Sequence, residues 1–255
     1  MSTPLYEARG ISRSFGSVQA LQGADFDVRP GEVSALIGDN GAGKSTLVRI
    51  LSGADKPDAG EILFKGEPIS LETPTDARVR GIETVFQDLA LANHLDPIQN
   101  MYLGRELPRS GVLGKLGFMD RAQMREVGQA AFADLGATVR DFESPVGGMS
   151  GGQRQAIAVA RAAAWANEVI FFDEPTAALG VVQTKGVLDL IRRIRDKGIG
   201  VVLISHSMPH VLDVADRVHV LRHGRRATVM NTADTNVEEL VGAMTGALDG
   251  KEAAA

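Results

Sequence analysis

Three short apolar runs, Val33 to Ile37, Val169 to Phe172 and Val201 to Ile204, stand out from a chain in which polar and apolar positions otherwise mix. Runs of this length without polar alternation are read as buried strands of a parallel sheet. A further strand over Glu83 to Phe86 ends at Gln87. Directly after the first run the period changes, and a Leu/Val/Ile segment with helical spacing extends from near Lys44 to near Gly53. Residues 5–11 and 24–28 read as short strands around a turn-rich segment at Phe15-Gly16-Ser17, a small antiparallel edge. Lys56 to Gly60 is a tight turn into a strand over Glu61 to Lys65. Thr73-Pro74 then starts a capped helix, and the two predict a second strand–helix unit. From Gln87 to about Gly148 glycine-broken helical segments take over, one of them capped at Asp120 and running to about Leu135. Strands near Arg217 to Leu221 and Arg225 to Met230 and a helix from about Val237 to Met244 complete the pattern.

The predicted fold is α/β, with a parallel central sheet, a small antiparallel β edge subdomain and an inserted α-helical subdomain. One domain is expected over residues 1–246, with its core in 1–87 and 149–230, the insertion in 88–148 and a C-terminal helix over 236–246. A flexible tail is expected over 247–255.

Candidate chemistry collects at the ends of the buried runs. Gly38-Asp39-Asn40-Gly41-Ala42-Gly43-Lys44-Ser45 fits G-x-x-x-x-G-K-[ST] at every fixed position and lies between a strand and a helix, the setting a P-loop requires. Its glycines let several N–H groups turn toward one anion, and the helix dipole adds positive potential there. Lys44 would bridge the β- and γ-phosphates, and the Ser45 hydroxyl would ligate Mg²⁺. The second run ends in Asp173-Glu174-Pro175. Carboxylates at that end of a central strand sit beside the P-loop in an open α/β sheet, Asp173 to hold Mg²⁺ and Glu174 to orient or deprotonate the attacking water. The third run ends at Ser205-His206, where His206 is either structural or a contact to the γ-phosphate. Gln87, at its own strand end, is either a polar terminus or a group reaching the nucleotide. Phe15 fits a nucleobase platform or a hydrophobic plug under the edge sheet. Ser150, followed by Gly151, Gly152 and Gln153, caps a helix whose free N–H groups form a second anion site. That site is either an ordinary capped helix or one that serves a nucleotide held by another chain.

Composition narrows the function classes. The chain has 255 residues, 44% hydrophobic and 23% charged, as in ordinary globular proteins. A formal net charge of −5 argues against phosphate-backbone binding as the main activity, so no nucleic-acid partner is expected. There is no cysteine, hence no disulfide and no thiolate metal site. The start, MSTPLYEARG, does not read as a signal peptide, and no apolar run approaches the ~20 residues that span a bilayer. Any membrane role is expected to act through a partner.

With these motifs in order, the chain resembles the ATP-binding subunit of an ABC transporter over residues 5–246. The resemblance makes Phe15 the aromatic loop, Gly38 to Ser45 Walker A and Gln87 the Q-loop. It makes Met149-Ser-Gly-Gly-Gln153 the signature, Val169 to Asp173 Walker B, Glu174 the catalytic base and His206 the switch. It implies ATP contacts from Phe15, Val18, Gly38, Asp39, Asn40, Gly41, Ala42, Gly43, Lys44, Ser45 and Thr46, catalysis by Glu174, His206 and Gln87, and Mg²⁺ held by Ser45, Gln87 and Asp173. Ser150, Gly151, Gly152 and Gln153 would act in trans, in a head-to-tail homodimer around two ATP. Partners implied are a membrane permease and, indirectly, a periplasmic or extracellular sugar-binding protein, with the chain peripheral on the cytoplasmic face of the inner membrane. GDNGAGKST, FQDLAL, EPTAALG, ISHSMPHV and MTG resemble carbohydrate importers of the ribose and fructose type. Two departures are noted: Met149 replaces a commoner Leu, and Gly180 stands where the family usually has Asp, which implies retained activity with altered cross-site coupling. The second reading is a soluble ABC-type ATPase remodelling a nucleic-acid or protein assembly, and the third a regulatory nucleotide-binding module without turnover.

Overall fold

The computed structural model describes residues 3–247 apart from 138, 140 and 178; most of the expected tail, 248–255, lies outside these. The chain begins with a hairpin, β1 (Tyr6–Phe15) and β2 (Val18–Val28), then β3 (Val33–Ile37), α1 (Lys44–Leu51), β4 (Ala59–Phe64), β5 (Glu67–Ile69), α2 (Pro74–Val79) and β6 (Ile82–Val85). Next come α3 (Pro97–Tyr102), α4 (Val112–Lys115), α5 (Arg121–Asp134), α6 (Gly151–Trp165), β7 (Val169–Asp173) and α7 (Val181–Asp196). The chain continues through β8 (Gly200–Ile204), α8 (Met208–Val214), β9 (Arg217–Arg222), β10 (Arg225–Asn231) and α9 (Val237–Thr245).

The apolar runs pair side by side. The central sheet has the order β10-β9-β3-β8-β7-β6, parallel except for β10, and β3 and β8 are buried at every position. Helix boundaries follow local capping chemistry: Asp120 and Ser150 accept from the amides of Gln123 and Gln153, and the Asp76 carboxylate accepts from the amide of Thr73.

Two expectations are corrected here. The strands placed over 5–11 and 24–28 are one long hairpin joined at Gly16-Ser17, with Phe15 paired to Val18. Cross-strand hydrogen bonds satisfy this backbone while its polar side chains face water, so no apolar signal marks residues 12–20. The strand expected over Glu61 to Lys65 is β4, antiparallel to β1 and β5 in a second sheet of order β2-β1-β4-β5. It is therefore not part of a strand–helix unit of the central sheet. Pairing partners, not local pattern, decide that membership.

The two sheets are joined by a polar cluster in which Arg217 and His219 are buried and the remaining charged groups are half-buried. Arg217 of β9 pairs with Asp27 of β2 and with Glu32, and Arg226 of β10 with Asp25 and Asp27. Among these charges His219 is 1% exposed, packs against Phe26 with ring centroids 4.5 Å apart and planes tilted by 46°, and has no hydrogen bond at either ring nitrogen. Burial pushes its pKa from 6.5 down to about 3, Arg217 and Arg226 adding and Asp27 opposing. The unfolded chain therefore binds a proton that the folded chain refuses between these values. Its contribution is whole above pH 6.5 and falls by about 1.4 kcal/mol per unit as pH drops toward 3. Denaturant unfolding at pH 7, 6 and 5 is expected to show this slope, and His219→Phe to lack it. An equal slope in the variant would assign acid sensitivity elsewhere.

Candidate active site

The parallel strands deliver their C-terminal ends to one edge of the sheet, and the P-loop wraps that edge. After buried β3 the chain must turn sharply while its backbone packs against β9. At Gly38 a Cβ would lie 2.3 Å from the Leu221 carbonyl oxygen, so only glycine fits. Gly43, with φ at +104°, leaves no room either, since a Cβ would lie 2.6 Å from the Ala20 carbonyl. These two contacts shape the loop that ends at the first turn of α1.

Lys44 is 7% exposed and its Nζ donates to the carbonyls of Gly38 at 2.7 Å and Asp39 at 3.1 Å. Burial holds its pKa below the ordinary lysine range, against the pull of Glu174, Asp39 and Asp173. The ammonium thus closes back on loop carbonyls, positions from which it can exchange a carbonyl for a phosphate oxygen.

A cavity of about 350 Å³ opens beside this loop, lined by Val18, by Asn40 through Thr46, and by Gln87, Asp173, Glu174 and His206. The strand ends of β6, β7 and β8 supply the last four. Asp173 and Glu174 both have raised pKa values, burial being the main cause, with Lys44 and His206 pulling each back down. Glu174 follows β7 in the left-handed region at φ +52°, a conformation that costs a non-glycine residue roughly 1 kcal/mol or more. Its Oε1 is buried without a hydrogen-bond partner and lies 3.3 Å from His206 Nε2. A strained, desolvated carboxylate facing a cavity is a strong base in waiting.

Most expected residues therefore meet in one place. Gly38 and Asp39 lie outside the lining of this cavity and adjoin it through Lys44, whose Nζ donates to both their carbonyls, while the Asp39 carboxylate accepts from the Asn40 amide at 2.8 Å. Phe15 is 48% exposed at the hairpin tip, with the Arg13 guanidinium 4.9 Å from its ring centroid, so the hydrophobic-plug reading is set aside. Ser150, Gly152 and Gln153 line a different cavity, of about 450 Å³, with Gln183 and other residues of α7, and Gly151 is exposed. The Gln183 side chain spans this region: a Cβ on Gly152 would lie 2.5 Å from its Cγ, and one on Gly180 2.7 Å from its Oε1. An aspartate at 180 would have to push Gln183 aside. Gln19, Ala20 and Ile204 also line the first cavity and were not expected. Ala20 is legible only through its carbonyl's approach to Gly43.

Ser45, Gln87 and Asp173 bring a hydroxyl, an amide and one carboxylate to the same cavity. No group of three or more His, Cys, Asp or Glu residues able to hold a metal occurs among the described residues. That donor set fits a hard cation taken mainly with its phosphate ligand rather than a preformed protein cage.

The family model described as ABC transporter matches residues 21–177. The fructose import ATP-binding protein FrcA of Rhizobium meliloti is 50% identical over 246 residues, covering 96% of this chain and 95% of its own. The xylose/arabinose import ATP-binding protein XylG of Sulfolobus acidocaldarius is 44% identical over 97% of this chain and 96% of its own. Among solved structures, an ATP-binding cassette of an ABC transporter in its ADP conformation superposes with a TM-score of 0.78, at 25% identity and 96% coverage of both chains.

Proposed function

The chain belongs to the ABC transporter family, and we propose that it is the ATP-hydrolysing subunit of an importer, two copies closing on two ATP to drive uptake of a sugar of the ribose or fructose type. The observation that carries the dimer is the separation of its two anion sites. The P-loop, Asp173, Glu174 and His206 share one cavity, while Ser150 to Gln153 begin a helix at another. A nucleotide on the P-loop therefore takes its second wall from the other copy, with Ser150, Gly151, Gly152 and Gln153 facing its γ-phosphate in trans. Relatives matched over 95% and 96% of their own length by this single cassette support a homodimer.

The chemistry follows from side-chain placement. Lys44 and the loop amides bind the phosphates, with Val18 and Phe15 on the base side. Ser45, Gln87 and Asp173 would hold Mg²⁺, which offsets phosphate charge when bound. Glu174 accepts a proton from the attacking water, and His206, beside Glu174, contacts the γ-phosphate and registers its loss. The sugar class rests on the relatives' names. No helix among the described residues is long and apolar enough to cross a membrane, so the transmembrane path belongs to a permease. The segment from Gln87 to about Arg105, which leads from the core into the insertion 88–148, receives that permease. A groove of about 220 Å³ that Ala90, Leu103 and Arg105 help to line supports this. The chain then works peripherally on the cytoplasmic face of the membrane, indirectly served by an external sugar-binding protein.

The test is to isolate the chain from gently solubilised membranes with and without ATP. A polytopic permease should co-purify, with ATPase activity stimulated by a sugar-loaded binding protein. A chain found wholly in the soluble fraction without such a partner would sink the transport reading and favour a soluble remodelling ATPase.

A further inference from the structure

Gln87 lies at the nucleotide cavity, and the chain bends immediately after it. Ala90 takes φ +49°, the left-handed region, so the bend is held rather than relaxed. What holds it is a side chain from another element. Arg161, on α6, donates from Nη1 to the Ala90 carbonyl at 2.8 Å and from Nη2 to the Leu89 carbonyl at 2.9 Å. The guanidinium fork thus spans two successive backbone oxygens, a geometry a single point donor cannot reproduce. Its hydrogen bonds go to carbonyls rather than a carboxylate. Burial, with Arg78 and Arg105 nearby, holds its pKa below the usual arginine range, against the pull of Glu83. A partly buried cation spent on two loop carbonyls costs desolvation, which calls for a role.

Arg161 sits eleven residues beyond Ser150, about 16 Å along the same helix. Further along, Trp165 Nε1 donates to the Met101 carbonyl at 3.0 Å, and Arg105 stacks on the Trp165 ring at 4.9 Å while pairing with Glu83 of β6. The α6 helix is therefore fixed both to the insertion and to the bend after Gln87. We propose that Arg161 is a positioning residue for ATP hydrolysis: it ties the bend that follows Gln87 to the helix that begins at Ser150, so that movement of either displaces the other. This rests on the ATPase reading given above. Gln87 can then be at its working place at the nucleotide only while α6 is at its own, and Arg161 itself touches no nucleotide.

The experiment compares the full chain with Arg161→Lys, which keeps the charge and loses the fork. Amide exchange of residues 87–92 is expected to rise roughly tenfold, as loss of a charge-assisted hydrogen bond implies, with exchange in β3, β7 and β8 unchanged. The turnover number should fall about tenfold through misplacement of Gln87, with KM and ATP affinity within about twofold. Arg161→Gln, uncharged and able to reach one carbonyl, substitutes if the lysine variant does not fold. Unchanged turnover despite faster exchange at 87–92 would overturn the proposal. So would lost turnover with a lowered melting point and faster exchange throughout, which marks a merely structural arginine. A wild-type chain that hydrolyses no ATP would instead bring down the ATPase reading itself.

Discussion

Glu174→Gln is expected to lower the turnover number by about 10³-fold while ATP affinity stays within about threefold, within the range a general base supplies. The substitution keeps shape and removes only the proton acceptor. Glu174 Oε1 is buried, lacks a hydrogen bond and lies 3.3 Å from His206 Nε2, so it is free to take a proton and has a partner beside it. Burial raises its pKa, which makes the ionised form a better proton acceptor than an exposed glutamate. Because the folded pKa lies above the ordinary value of 4.5, wild-type activity should be full above it and decline as pH falls through it. The residual activity of the glutamine variant should lack that acid limb. Since chemistry stops but binding does not, the variant should also accumulate as an ATP-bound dimer, read by size-exclusion chromatography with and without ATP. Turnover within about threefold of wild type would show that another group takes the proton.

How much of this was legible in the residues depends on whether the chemistry is local. The P-loop was, because its glycines, Lys44 and Ser45 fall at fixed spacing within one octapeptide flanked by a strand and a helix, although the carbonyls that exclude a Cβ at Gly38 and Gly43 belong to Leu221 and Ala20. Asp173, Glu174 and His206 were legible because buried runs end beside them, and the ends of parallel strands share one edge. Capping chemistry marked Asp120 and Ser150 correctly for the same local reason. What failed was pairing. The hairpin of β1 and β2 hides in polar residues whose order comes from hydrogen bonds to a strand elsewhere, and β4 looked like part of the main sheet until its antiparallel partners were known. Arg161 acts on the carbonyls of Leu89 and Ala90, and Gln183 lies against Gly152, each across elements distant in sequence. Neither leaves a spacing pattern.

Lys44→Ala is expected to weaken ATP binding by at least about 100-fold, because an ammonium held at two phosphates loses two charge-assisted hydrogen bonds of about 1.5–3 kcal/mol each. The cost to the fold is expected to be small. The buried ammonium is desolvated, as its lowered pKa shows, and its bonds to the Gly38 and Asp39 carbonyls recover only part of that. Removing both terms together should leave the melting point of the nucleotide-free chain within a few degrees of wild type. The two expectations separate cleanly in one experiment. ATP at 100 times the wild-type Kd adds about 2.7 kcal/mol to the stability of a chain that binds it only when folded, whereas the same concentration lies near or below the Kd of the variant and adds at most about 0.4 kcal/mol. Thermal unfolding with and without ATP therefore reads binding and folding in the same scan. A variant whose melting point still climbs with ATP as wild type does would mean that the loop amides and the α1 dipole hold the phosphates without Lys44. A variant that melts far lower without nucleotide would mean that the lysine's carbonyl contacts hold the loop in shape before any phosphate arrives.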